Sequence, residues 1–375
     1  MTSDFQHCYA EPASTVTTQR LYYLDNIKIA LIITVIFVHA AQPYGPGGAW
    51  FITAPVPIPL INILIVGAFL AIAPSFFMGL FFFISAYFIP GSFDRKGERR
   101  FLRDRFIRLG VPLIIMLTTI IPLVVYLLKG LNQVAFLYPP YLSFYYLWFV
   151  VILLITALVY AAWRRSGLTV PAVTCPGNGT LLAAACALGV ANFVVRIWYP
   201  INQWTLFDAI EPAHVPLYAL LIVGGLLAYR NKWLDALPNS LTRLWGAIVA
   251  VCFFGLFGLF IAFGTGLAAG GATLASLLES FWEAFIGIGI CTCALIVFRN
   301  RWNDAGRVTR VLAQNVYAAY LIQWPVVLGL QWVLINTALP LLLQFLLVGV
   351  IATALCFLIS NYVVRRIPYA EQIVF

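Results

Sequence analysis

Lys28 and His39 are the residues of this sequence whose types and spacing most directly suggest chemistry. Over that separation an α-helix completes about three turns plus 20° and rises about 16 Å, so the ammonium and the imidazole share one helix face. Asp25 and Gln42 fall on the same stripe. Such a row suits an anionic co-substrate held by Lys28 near one end of the helix, with a proton taken by His39 farther along. A snorkelling lysine and a histidine hydrogen-bonded to a neighbouring helix form the competing, purely structural reading.

Arg105 and Arg108 form a second candidate group, three residues apart on one expected helix face just before Pro112. Paired guanidinium groups at a membrane surface can grip a phosphate bidentately. Basic loops also set the orientation of membrane proteins and touch anionic lipids, which is the alternative for this one. Gln323 lies in the run Asn315–Pro325, as far from the start of its apolar stretch as His39 is from its own. Its amide cannot act as a base at neutral pH but can orient an imidazole or an acceptor hydroxyl. A third set comprises Asp208, Glu211 and His214, with Glu279 and Glu283 on one helix face and Asn192 and Arg196 on another. An Arg196–Glu283 ion pair is expected there as structural glue. Tyr145, Tyr146, Trp148 and Phe149 suit either a sugar-binding wall or an ordinary interfacial girdle.

The elements that carry these residues follow from composition. The 375 residues are 63% hydrophobic and 9% charged. Soluble domains average about 45–50% apolar and about 25% charged, so a water-soluble fold is excluded. Apolar runs long enough to cross a bilayer occur at 27–45, 61–90, 109–128, 141–162, 181–198, 213–229, 244–264, 276–298, 311–335 and 339–363. This predicts an all-α polytopic membrane protein of about ten transmembrane helices. The second run is over-long and contains Pro74, which predicts a kink or a re-entrant start. With the N-terminus inside, all but Lys129 and Arg196 of the 22 Lys and Arg residues fall on the cytoplasmic side, so both termini are expected there. Arg20 belongs to that inner set. The net charge of +9 is then a topology signal and implies no nucleic acid. Residues 1–20 lack a secretory pattern, which makes the first helix an expected uncleaved anchor. The seven cysteines, Cys8 among them, give neither a disulfide framework nor metal-site spacing.

Taken together, these segments resemble the acyltransferase-3 family of membrane acyltransferases, which O-acylate cell-envelope polysaccharides, periplasmic glucans and some small metabolites. The most specific element is Arg20 to His39, similar to an opening motif in which a Leu-Asp pair is followed by a basic residue, ten others and a His. Phe76–Tyr87 resembles the family's aromatic run ending in Ser-Gly-Tyr, and Arg103 to Pro112 resembles its Arg-x-x-Arg segment before a proline. Weaker agreement comes from 146–150, 211–230 and 320–322. Three residues depart from the pattern: Lys28 stands for Arg, Ala86 for Gly, and Gln323 for a His.

The resemblance implies a transmembrane domain over 21–366, between a short cytoplasmic N-terminal tail, 1–20, and a cytoplasmic C-terminal tail, 367–375. It implies acyl-CoA, chiefly acetyl-CoA, as donor co-substrate, with no permanently bound cofactor and no metal. The acceptor would be a carbohydrate or another hydroxyl compound, and the lipid bilayer the constant partner. His39 would be the general base, and Lys28, Arg105 and Arg108 would hold donor phosphate. Asp25 would pair with Lys28, Ser85 would offer a pocket hydrogen bond, and Gln323 would orient. A transporter or flippase of a polar solute or lipid-linked sugar is the alternative from another class.

Overall fold

The computed structural model describes residues 21–46, 50–131, 143–168 and 170–374. The tail 1–20, with Cys8 and Arg20, lies outside the described residues, as does the side chain of Lys129. Among the described residues ten helices are long and apolar enough to cross a membrane: Tyr22–Tyr44, Leu60–Lys96, Glu98–Leu128, Tyr145–Arg165, Asn178–Arg196, Pro212–Arg230, Leu241–Phe263, Leu274–Arg301, Arg307–Leu334 and Leu341–Arg366. The only extended pairing among them is an isolated bridge between Thr205 and Ile210. The protein is an all-α, multi-pass membrane protein. Each expected apolar run is recovered, because in lipid a helix satisfies its backbone polar groups within itself.

The first span runs through the middle, against the second, eighth, ninth and tenth. The sixth packs on Phe77–Tyr87 of the second, and the eighth is clasped by the fifth and seventh. Loops expected on the cytoplasmic side meet at one end. Asn26 donates to the carbonyls of Trp302 (2.8 Å) and Asp304 (3.1 Å), Arg165 reaches Glu98 at 2.6 Å, and Arg164 and Arg230 converge on Asp94. At the opposite end Phe144 N–H donates to the carbonyl of Phe207. We predict that single cysteines at Arg99 and Gln203, in a background without native cysteines, react with an impermeant maleimide in intact cells at Gln203 alone. Labelling at Arg99 would reverse the orientation.

Prolines explain the interruptions. The second span stops at Ile72 and restarts at Phe77, with Pro74 in the turn between. Ser75 closes that turn through a 2.6 Å bond from its hydroxyl to the Ile72 carbonyl. Gly287 of the eighth span lies against it: a Cβ there would stand 2.2 Å from the Ser75 carbonyl oxygen, so only glycine fits. The third span carries two π-helical turns, Phe106–Gly110 and Met116–Ile120, each ending two residues before a proline, Pro112 or Pro122. Each wide turn accommodates a ring that lacks an N–H and crowds the preceding turn. In the ninth span Pro325 frees the carbonyl of Leu321, and the Tyr146 hydroxyl of the fourth span takes it at 2.8 Å.

Candidate active site

His39 stands in the last turn of helix Tyr22–Ala41, half-buried. Its Nδ1 lies 2.9 Å from Oε1 of Gln323, which is fully buried on the ninth span. The equal depths expected for these residues therefore meet as a contact. An amide oxygen can only accept, so Nδ1 is the donor, and in the neutral imidazole Nε2 then presents its lone pair. Trp50 stacks on the imidazole, centroids 5.7 Å apart and planes 14° apart. Gln331 locks that cover. Its Oε1 accepts from the Trp50 indole N–H at 2.9 Å, and its Nε2 donates to the carbonyls of His39 and Ala40 at 2.8 and 3.2 Å. A ring held at one nitrogen and on one face has a single orientation in which to take a proton.

Beyond Trp50, an aromatic wall continues through Phe51, Tyr145, Tyr146 and Trp324. Phe51 meets Tyr145 and Trp324 edge-on, and both tyrosines stack on Trp324 at 5.5 Å. The Tyr320 hydroxyl donates to the Tyr146 carbonyl and ties the fourth span to the ninth from the other direction. Toward the opposite end of the first span, Lys28 Nζ is 2.7 Å from Asp25 Oδ1 and 5.8 Å from the centre of the Phe88 ring. Gln42 turns back to the Val38 carbonyl instead of continuing the stripe.

The other expected residues are less closely joined. Arg105 precedes the first π turn and lies over the Phe101 ring at 5.3 Å, while Arg108 falls within that turn and is exposed. The wider turn rotates the two guanidinium groups farther apart than an α-helical spacing of three would. Neither forms an ion pair among the described residues, and no contact there joins them to Lys28. Ser85 is half-buried and makes no side-chain hydrogen bond among the described residues. Beside it, Ala86 packs on the sixth span at Gly225, where an added Cβ would come 2.3 Å from the Phe83 carbonyl oxygen and 3.0 Å from the Ala86 methyl. The sixth span thus supplies the small residue that this crossing needs.

At the end opposite Asn26 and Asp94, Arg196, 1% exposed, bonds to both Glu279 and Glu283, so the expected single ion pair is a bridge over two carboxylates. His214 continues it, with Nδ1 2.9 Å from Glu211 and Nε2 3.4 Å from Glu283. Burial pushes the Glu211 carboxyl up, but His214, the Asn202 N–H at 2.7 Å and Arg196 outweigh it and hold it below the usual carboxylate value. Asp208 instead accepts from the Ser143 hydroxyl. No group of metal-binding side chains occurs among the described residues.

A family model described as an acyltransferase domain, Acyl_transf_3, matches residues 21–361. The chain belongs to the acyltransferase-3 family. Searches of curated proteins and of solved structures returned no match. In this acyltransferase-3 member the match begins just before the first span and runs nearly to the end of the tenth, so it covers both the His39–Gln323 contact and Lys28. Trp50 and Gln331 were not singled out from sequence. Gln331 carried a signal, being a buried amide inside an otherwise apolar run. Trp50 carried none, since an aromatic residue just past the end of a span is ordinary.

Proposed function

We propose that this acyltransferase-3 member is an acyl-CoA-dependent O-acyltransferase that moves an acetyl or other short acyl group to a hydroxyl of a cell-envelope carbohydrate or related acceptor. The observation that carries this reading is the His39 imidazole, held by Gln323 and Trp50 and aligned on one helix with Lys28. Lys28 and His39 are about 16 Å apart along that helix. The arm between the phosphates and the sulfur of coenzyme A has about twelve bonds and extends roughly 15 Å, which suits a phosphate at Lys28 and a thioester at His39.

The chemistry assigned to the residues is acyl transfer through a tetrahedral intermediate. The acceptor oxygen adds to the thioester carbonyl carbon while its proton passes to His39 Nε2. The intermediate collapses, the carbon–sulfur bond breaks, and the proton on Nε2 goes to the departing thiolate. Lys28 holds donor phosphate with Asp25 steadying its ammonium, Arg105 and Arg108 add cations at the mouth, and Ser85 lines the pocket. The half-buried Phe51 and Tyr145, backed by the buried Trp324, suit the apolar face of a sugar ring.

Purified protein given radiolabelled acetyl-CoA and a panel of envelope glycans is expected to yield labelled glycan. One observation favours the alternative of a transporter or flippase, namely the interruption of the second span within the bundle. Uptake of an unmodified solute into proteoliposomes, with no label transferred, would support it.

Donor binding separates the two roles open to the basic loop. Topology depends on the number of cations, so changing Arg105 and Arg108 together to Lys leaves orientation intact. A phosphate grip loses its planar fork, and each charge-assisted bond is worth about 1.5–3 kcal/mol. We predict donor affinity weakened roughly ten-fold or more, with acceptor affinity little changed. An unaltered donor titration would leave the loop as a topology signal.

A further inference from the structure

We propose that Gln323 is itself a catalytic residue, its side-chain N–H group donating to the oxyanion that forms when the acceptor adds to the thioester. This rests on the reading of His39 as general base and deepens it. For Nε2 of His39 to take a proton, Nδ1 must be the donor, and Oε1 of Gln323 accepts from it at 2.9 Å. The amide is then fixed with its Nε2 turned away from the ring. That nitrogen has two N–H bonds, belongs to a fully buried residue, and has no hydrogen-bond partner among the described residues.

An unpaired buried donor is costly, and its cost is recovered only when something accepts from it. At this position the accepting group is negative oxygen. The donor hangs from the same amide carbon as the oxygen that holds the imidazole, so it is fixed relative to the base. A cycle therefore closes through the reaction. Nε2 of His39 receives the proton of the attacking oxygen, that oxygen bonds the acyl carbon, and the acyl carbon carries the oxyanion. The oxyanion accepts from Gln323 Nε2, and Gln323 Oε1 accepts from Nδ1. One amide thus supplies two opposite needs, an acceptor for the ring and a donor for the charge that develops as the ring takes its proton. The carbonyl pair moves onto oxygen on addition and returns on expulsion of the thiolate.

Replacement by glutamate parts these two functions. Gln323→Glu keeps an oxygen to accept from Nδ1 and removes the N–H donor. For a protein that still elutes as a single species and binds acyl-CoA, the expected result is a kcat lower by about 10²–10³-fold with donor and acceptor KM nearly unchanged. Raising the pH should not restore it. A carboxylate that merely kept His39 protonated would release the base at alkaline pH, so recovery there, or near-normal turnover at any pH, overturns the proposal. Gln323→His provides the second arm, because a neutral imidazole offers one acceptor nitrogen and one N–H. It is expected to retain turnover within about ten-fold of the parent while the glutamate variant does not. A folded, donor-binding Gln323→His without activity overturns the proposal too. His39→Ala, assayed in parallel, keeps the two failures apart. An active His39→Ala removes the underlying base assignment, whereas an inactive His39→Ala with an active Gln323→Glu removes only the role of the amide.

Discussion

His39→Ala is expected to lower acyl transfer by about 10²–10⁴-fold while acyl-CoA binding and the melting temperature stay close to those of the parent. The substitution removes the lone pair that takes the acceptor proton and leaves Lys28, at the far end of the same helix, untouched. The space vacated lies between Trp50 and Gln323, and Gln331 continues to hold Trp50 from outside it. Steady-state rates on labelled acetyl-CoA, read with a separate donor-binding titration, check this. Turnover near that of the parent would place the base on another residue and dismantle the mechanism.

Arg196→Leu is expected to have the largest effect on stability. Its guanidinium is all but inaccessible and meets two carboxylates, both on the eighth span. Removing one partner of a buried pair costs about 3–5 kcal/mol, because the charge left behind has neither water nor counter-ion. Here Glu279 would lose its counter-ion, and Glu283 would keep only His214, 3.4 Å away. The variant should melt earlier in detergent and give little monodisperse protein. Adding Glu279→Gln and Glu283→Gln should recover most of the loss, since neutral groups carry no stranded charge. A melting temperature equal to that of the parent in the single variant would make the bridge incidental.

Much of the fold was readable because the bilayer acts on each span separately. Hydropathy found all ten runs, and the recurrence of carboxylates at Glu279 and Glu283 and the position of Arg196 anticipated the outer ion pair. Counting residues from the cytoplasmic starts put His39 and Gln323 at one depth, and they meet at 2.9 Å. Lateral order was not readable in the same way. Whether the ninth span lies beside the first, so that Gln331 reaches the His39 carbonyl, depends on packing among ten similar apolar surfaces. The relation of Arg105 to Arg108 was obscured for a local reason, as the π turn before Pro112 changes the rotation per residue on which a shared helix face depends. Ala86 departs from the family pattern, and that it meets Gly225 across the crossing depends on lateral packing that sequence order does not show.

The ninth span has a further consequence for how the chain is made. It is the least apolar of the ten and more than half buried, whereas the seventh is among the most apolar and almost wholly on the outside of the bundle. Each polar side chain raises the free energy of entering lipid, so the seventh span can partition from the translocon alone and the ninth depends on a protein surface to receive Asn315, Gln323 and Gln331. The tenth span receives Asn315 through Ser360 and the first receives Gln323 and Gln331, but His39 and Gln323 are 284 residues apart in the chain. At about 5–20 residues per second, the groove beside His39 waits roughly 15–60 s during synthesis before its partner arrives. A nascent chain arrested after eight spans would already be anchored in the bilayer, yet His39 would still lack the amide that holds it.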